Sequence, residues 1–287
     1  MSRRTTTWVA LCSRGALMLC AALAGALMPC RYNLAMNLVA FETSSEMISI
    51  AVANGERIVS REYANAGQQS GELALPAMHE LLGELGLVVR DLDVVVFGQG
   101  PGSFTGVRVA CGVAQGLAYG LGKPVIALHS PLALAEAASR QGATHVLIAN
   151  DARMGEIYVA AYEQRADAPT GFQEILSPCL VKPALFDEIV VPSMQGATWC
   201  GVGTAFDLTA LSAPMLANHR VTVLPLPSLR FAFAADLIRV AQKMLHALGE
   251  GATIRPHDAQ PLYVRNKVAL TIEERKLSSA SKALLTA

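Results

Sequence analysis

VVVFGQGPGSFTGVRVACGVAQGLAYGL, residues Val94 to Leu121, divides into a strand, a glycine turn and a helix. The apolar run Val94–Phe97 stops at a loop holding Gly98, Gly100, Pro101 and Gly102, with Ser103 and Thr105 after it. A loop so rich in glycine takes backbone conformations closed to other residues, or lets something approach closely. In the helix that follows, Gly106, Ala110, Ala114 and Ala118 form one ridge and Gly112, Gly116 and Gly120 another. Ridges of small side chains admit a second helix at short distance. The loop also opens a helix, whose free amides and dipole attract anions. Gly100, Gly102 and Ser103 are therefore candidate nucleotide contacts, although a well-capped helix entered by a tight turn has the same features.

Upstream, Asn37–Phe41, Met47–Ala53 and Arg57–Tyr63 read as three strands of a meander, with Asn54-Gly55 as a tight turn. The polar turn 42–46 carries Thr43, a candidate phosphate donor or a hydroxyl that caps its own turn. In Glu72–Leu87, Leu75, Met78, Leu82 and Leu85 make one apolar helical seam, and Pro76 fits its first turn. Downstream, Val125–Leu128 is a strand and Ser130 precedes a helix over Pro131–Arg140. After Gln141-Gly142 the pattern restarts. Strand His145–Ala149, a polar turn holding Asp151, and strand Glu156–Tyr162 repeat the opening hairpin about 105 residues on. Gln173–Leu176 and Thr198–Val202 read as strands, Pro183–Ile189 as a helix, and Ser228 as the cap of a helix over Leu229–Leu248. The expected organisation is two similarly built α/β lobes, residues 36–141 and 142–270, with a frayed end at 271–287 and the 229–248 helix packing on the first lobe.

The 287 residues are 52% hydrophobic and only 16% charged, which excludes a disordered chain. Lys and Arg balance Asp and Glu at 23 each, so a chain that grips nucleic acid unaided is not expected. The six cysteines form no CxxC pair and read as reduced apolar side chains. Residues 1–35 contain the apolar run Gly15–Met28 behind Arg14. They are read as an extension ahead of a true start at Met36, a signal-like segment being the alternative.

Several chemistries fail on spacing. His79-Glu80 begins a zinc-helix motif, but Gly83 stands where the second histidine belongs. Gly102-Ser103-Phe104-Thr105-Gly106 places its serine one position early for a nucleophile elbow. Gly116–Pro124 has Pro124 where a phosphate loop needs a hydroxyl, and Gly98-Gln99-Gly100 is half a dinucleotide fingerprint. Glu42 and Asp151 end equivalent strands and could face each other across a cleft to position a metal–nucleotide. Arg153 equally offers Asp151 a local ion pair. No catalytic pair and no metal site emerges.

The segment GQGPGSFTGVRVACGVAQGLA, Gly98 to Ala118, resembles the signature of the TsaB (YeaZ) family. Leu38–Gly55, Asn150–Tyr162 and Pro261–Ala269 are similar to that family's opening hairpin, second-lobe hairpin and tail, so the resemblance covers about residues 36 to 270. It implies an actin/Hsp70/sugar-kinase-like (ASKHA) fold of two RNase H-like lobes. It also implies a non-catalytic subunit of tRNA threonylcarbamoyladenosine modification at adenosine 37, which supports a TsaD (Kae1-like) transferase as a heterodimer. A TsaE ATPase joins that pair, tRNA is reached through the complex, and the chain alone forms a homodimer. No cofactor is required by the subunit, and ATP or ADP has room at the interface. The cytoplasm is the implied compartment, with no membrane. Glu42 departs from the usual Asp of the family, which weakens a nucleotide role for that hairpin. The expected association surface is a four-helix bundle, with Leu75, Met78, Leu82 and Leu85 on one helix and Gly106, Ala110 and Ala114 on the next. The rival functions are a stand-alone nucleotide-dependent phosphotransferase or hydrolase of the same fold, and a glycoprotease-type peptidase.

Overall fold

The computed structural model of the chain describes residues 36–64, 69–194, 196–207, 211 and 213–265. The expectations for 1–35 and 271–287 lie outside the described residues. The first sheet contains β1 (Asn37–Glu42), β2 (Met47–Asn54), β3 (Arg57–Ala64), β4 (Val94–Gly98) and β5 (Val125–Leu128), in the order β3-β2-β1-β4-β5. The second contains β6 (His145–Asp151), β7 (Ile157–Gln164), β8 (Phe172–Val181), β9 (Trp199–Val202) and β10 (Val221–Val223), in the order β10-β9-β6-β7-β8. Read from its hairpin edge, the second sheet repeats the first. A central strand pairs antiparallel into a meander on one side and parallel to two crossover strands on the other. This is the duplicated ASKHA-type α/β architecture.

The six α-helices of the described residues are α1 (Ser70–Glu84), α2 (Phe104–Leu121), α3 (Pro131–Ser139), α4 (Phe186–Ile189), α5 (Ala213–Asn218) and α6 (Ala234–Leu248). They sort the core into three layers. In β1 and β4 alternate residues face opposite sides, so both faces of the strand need cover and the sequence runs apolar without a break. Val39, Phe41, Val95 and Phe97 face α1 and α2. Leu38, Ala40, Val94 and Val96 face a middle layer made by α3 and α6. The outer layer of the second sheet is closed by Phe186, Val190, Met194 and Trp199.

The middle layer joins the lobes. Helix α6 covers β1, β2 and β4, whereas α3 covers β6 and packs along α6. A division at 141/142 thus separates the sheets but leaves each lobe covered by a helix from the other half of the chain. Helix α6 begins five residues later than expected. Pro227–Leu229 is a separate turn of 3-10 helix, so Ser228 caps nothing. The Ala234 amide is satisfied instead by Ser49 Oγ of β2 at 3.0 Å, a tertiary partner that no local signal reveals. Pro183–Ile189 is split into a 3-10 turn and the single turn of α4. Among the described residues no helix is long and apolar enough to cross a membrane.

Candidate functional site

The C-terminal ends of β1, β4 and β6 bring three loops to one place, the crevice where open α/β sheets bind ligands. The turn 43–46 follows β1, the glycine loop 99–103 follows β4, and the turn 152–156 follows β6. They line a cleft of about 640 Å³ between the lobes, completed by Tyr158, Thr204, Asp207, Arg230 and the segment Leu262–Arg265.

Of the candidate nucleotide contacts, Gly102, Ser103 and Asp151 line this cleft. Thr43 and Gly100 do not, and their assignment as nucleotide contacts is corrected. Thr43 is buried and its hydroxyl donates to Gly106 O at 2.6 Å. The Gly100 amide donates to Ser130 Oγ at 3.2 Å, and its carbonyl accepts from the Ser130 amide at 2.8 Å. The loop needs its glycines because the first hairpin lies directly on it. A Cβ at Gly102 would stand 2.2 Å from Ser44 O, and one at Gly106 only 1.8 Å from Thr43 O. The Ser103 amide already donates to Ser44 O at 2.6 Å, and Ser103 Oγ faces the Gly106 amide at 3.4 Å. What reads as a phosphate cradle is largely filled by the chain's own backbone.

The two strand-end carboxylates do not face each other. Glu42 is fully buried and absent from the cleft; its Oε1 accepts from the Ser44 amide at 2.8 Å, and its Oε2 has no hydrogen-bond partner. Burial pushes its carboxyl above the usual range, only partly offset by the Ser44 and Ser130 hydroxyls. Asp151 takes the local partner: its Oδ1 accepts from the Arg153 amide at 2.8 Å, and its Oδ2 pairs with the Arg153 guanidinium at 3.3 Å. Each arginine lining the cleft is matched to an acid. Arg153 also meets Glu46 at 3.2 Å, Arg230 meets Asp207, and Arg265 meets Glu156 at 2.8 Å. A polyanion entering here would displace existing pairs. Among the described residues no group of three His, Cys, Asp or Glu is arranged to hold a metal ion.

The helix surface expected for association is also corrected. Met78, Leu82, Ala110 and Ala114 are buried in the first lobe's own core, Leu85 packs against it, and Gly106 is covered by Thr43. Their apolar seam is taken up by the sheet. The exposed ridge is the other one. A Cβ at Gly112, Gly116 or Gly120 would meet nothing within 4 Å, and Tyr119 beside them is 79% exposed; on α1, Leu75 is 45% exposed. Sequence reasoning missed Arg230, Thr204, Tyr158 and Arg265 as cleft residues: Tyr158 and Arg265 lie in stretches that resemble the family's hairpin and tail, but nothing in the order of residues sets any of the four apart from its neighbours.

Comparison with known proteins agrees with this architecture. The family model described as "TsaD: tRNA N6-adenosine threonylcarbamoyltransferase" matches residues 64–282. The tRNA threonylcarbamoyladenosine biosynthesis protein TsaB of Escherichia coli (strain K12) is 34% identical over 237 residues, which cover 82% of this chain and 96% of that protein. The protein of the same name from Haemophilus influenzae is 34% identical over 240 residues, 81% of this chain and 95% of its own. The solved structure of YeaZ from Pseudomonas aeruginosa superposes with a TM-score of 0.65 at 32% identity, covering 79% of this chain and 99% of that one.

Proposed function

The chain belongs to the TsaB family and has a role in tRNA threonylcarbamoyladenosine biosynthesis, and we propose that it acts there as a supporting subunit rather than as the transferase. It docks a TsaD-type subunit through the outward face of α2 and the exposed edge of α1. The observation that carries this reading is the ridge Gly112–Gly116–Gly120, bare of side chains and open to solvent, with exposed Tyr119 next to it on the same helix. A glycine in a helix interior costs about 1 kcal/mol relative to alanine. Three of them on an open face, with no internal atom to make room for, are a cost that close approach of a second helix offsets.

The cleft supports the accessory role in a second way, since its arginines are already paired with the chain's own carboxylates. With balanced charge, the chain reaches tRNA through its partner. A TsaE-type ATPase joins the pair, nucleotide binds at the shared interface, and in the partner's absence the same ridge pairs with a second copy about a twofold axis. The cytoplasm is the compartment for this work.

Gly116→Leu tests the docking face. The side chain enters open space and improves helix propensity, so the chain keeps its melting temperature. Co-purification with the TsaD-type subunit is expected to be lost. A folded variant that still captures its partner would remove the ridge from the interface. Ala110→Leu is no substitute for this test: Ala110 is fully buried, and the change overfills the chain's own core.

A further inference from the structure

The chain crosses the cleft a last time after α6. Ile254 and Val125 exchange backbone hydrogen bonds of 2.8 and 2.9 Å, which adds the segment to the edge of the first sheet. Ala259 is then buried in the first lobe's core, its carbonyl accepting from Gln115 Nε2 of α2 at 2.9 Å. The Leu262 amide donates to Gln99 O, at the start of the glycine loop, at 2.7 Å. The Tyr263 hydroxyl accepts from Arg108 Nε at 2.7 Å, and the Arg108 guanidinium lies 3.4 Å from the centre of the Phe104 ring. All of these anchors belong to the first lobe.

Arg265 belongs to the second. Its Nη2 donates to Ala152 O at 3.0 Å and to Glu156 Oε2 at 2.8 Å, gripping the turn after β6 from both sides. That turn is built from consecutive left-handed residues, Arg153, Met154 and Gly155, at φ 63°, 59° and 74°. The arginine side chain is only 16% exposed and the Glu156 side chain 25%, so this ion pair is shielded from solvent in a way that surface pairs are not. From Leu262 to Arg265 the chain is three residues long and can reach about 10 Å at most.

We infer that Ala259–Arg265 is a latch that holds the two lobes at a set opening, with the Arg265 guanidinium as its bolt. The shared layer of α3 and α6, apolar but for the pairs Arg140–Asp236 and Lys243–Glu136, joins the lobes away from the cleft, which neither helix lines, and leaves the opening at the mouth to the contacts made there. The latch chooses it, from the mouth of the cleft. It also ties α2, through Gln115, Arg108 and Phe104, to the turn 152–156 of the other lobe. The geometry stands independently of what docks on α2.

Amide hydrogen exchange on the full chain tests this. The reporters are the amides of Ala152, Arg153 and Glu156, which are bonded within the turn, and the amide of Leu262. Arg265→Ala should speed exchange at both sets of reporters about tenfold, through loss of the charge-assisted bonds that oppose opening. Tyr263→Ala removes a side chain whose ring and hydrogen-bond partners, Phe104 and Arg108, are both in the first lobe. It should nevertheless speed exchange in the second-lobe turn several-fold, with β1 and β2 unchanged. If Tyr263→Ala leaves the turn at its native rate, Arg265 merely staples its own turn and the latch is overturned. It is overturned equally if Arg265→Ala leaves the Leu262 amide untouched. Should Arg265→Ala fail to fold, Arg265→Lys takes its place: it keeps the charge but not the forked reach, and an intermediate rate is expected.

Discussion

Residues 43–46 and 152–156 are the turns that follow β1 and β6, matching central strands in two sheets of the same order. The first lies beneath the glycine loop. Glu42 and Thr43 are buried, and the backbone of 43–44 touches Gly102 and Gly106 where any side chain would collide. The second is open. It turns through left-handed residues, exposes Met154, and is tied by arginines to Glu46 and to the latch. Duplication of a topology has therefore not duplicated a site. One turn became the floor of the first lobe, and the other became the clasp between lobes. The difference arises from what packs above each turn: a helix entered through glycines in one case, a three-residue extended segment and solvent in the other.

The comparison breaks most sharply at Gly106. Gly106→Ala places a Cβ 1.8 Å from the Thr43 carbonyl, and neither the hairpin nor α2 can yield without losing the bond from Thr43 Oγ1 to Gly106 O. A loss of about 3 kcal/mol is expected, which a chemical-denaturation midpoint would register. The same substitution at Gly155, in the open turn, meets no neighbouring atom. It costs only the strain of a left-handed alanine, about 1 kcal/mol. Equal losses at the two positions would show that the turns are not used differently.

Glu42→Gln is the next largest change, and its sign is opposite. Because burial raises the folded carboxyl, the folded chain keeps this proton to a higher pH than the unfolded chain does. The contribution from Glu42 is fully present below the unfolded carboxylate range and is lost as pH rises through the raised folded value. An uncharged glutamine keeps an acceptor for the Ser44 amide and has no proton to lose. The variant should therefore gain on the wild type as pH rises above the unfolded carboxylate range, and go on gaining until the raised folded value is passed. A difference that stays flat with pH in paired urea titrations would mean that Glu42 is not buried as described.

Much of this is legible in the amino-acid order. Alternation and turn chemistry locate most of the strands, and the glycine unit locates α2, because these signals are local. The repeat of hairpin spacing reveals the two lobes. Strand β10 and helix α5 escape because three and six residues are too few to show a period. The apolar seam of α1 reads correctly as a seam and wrongly as a docking face. Periodicity says that a stripe is buried, but not whether the chain's own sheet or a partner buries it. For α2 the sheet takes Ala110 and Ala114, and of the two small-residue ridges that the sequence shows it is Gly112, Gly116 and Gly120 that has no internal neighbour. Arg265 is invisible for a different reason: a single arginine in an extended tail gains its meaning from a turn more than a hundred residues away.

The smallest expected effect lies at the tips of the turns, where Arg153 meets Glu46 at 3.2 Å. This pair also crosses the cleft, yet its side chains are 74% and 52% exposed. Water screens the attraction, and both long side chains must be ordered to make it. Glu46→Ala should change stability by no more than about 0.5 kcal/mol. It should also leave exchange at the 152–156 amides near its native rate, since Arg153 retains Asp151 as a partner. The contrast with Arg265→Ala is the informative quantity. Two arginines hold the same turn, one across its exposed tip and one from its shielded side, and the shielded one is expected to govern lobe opening. If Glu46→Ala loosens the turn as much as Arg265→Ala does, the exposed tips share the work of closure.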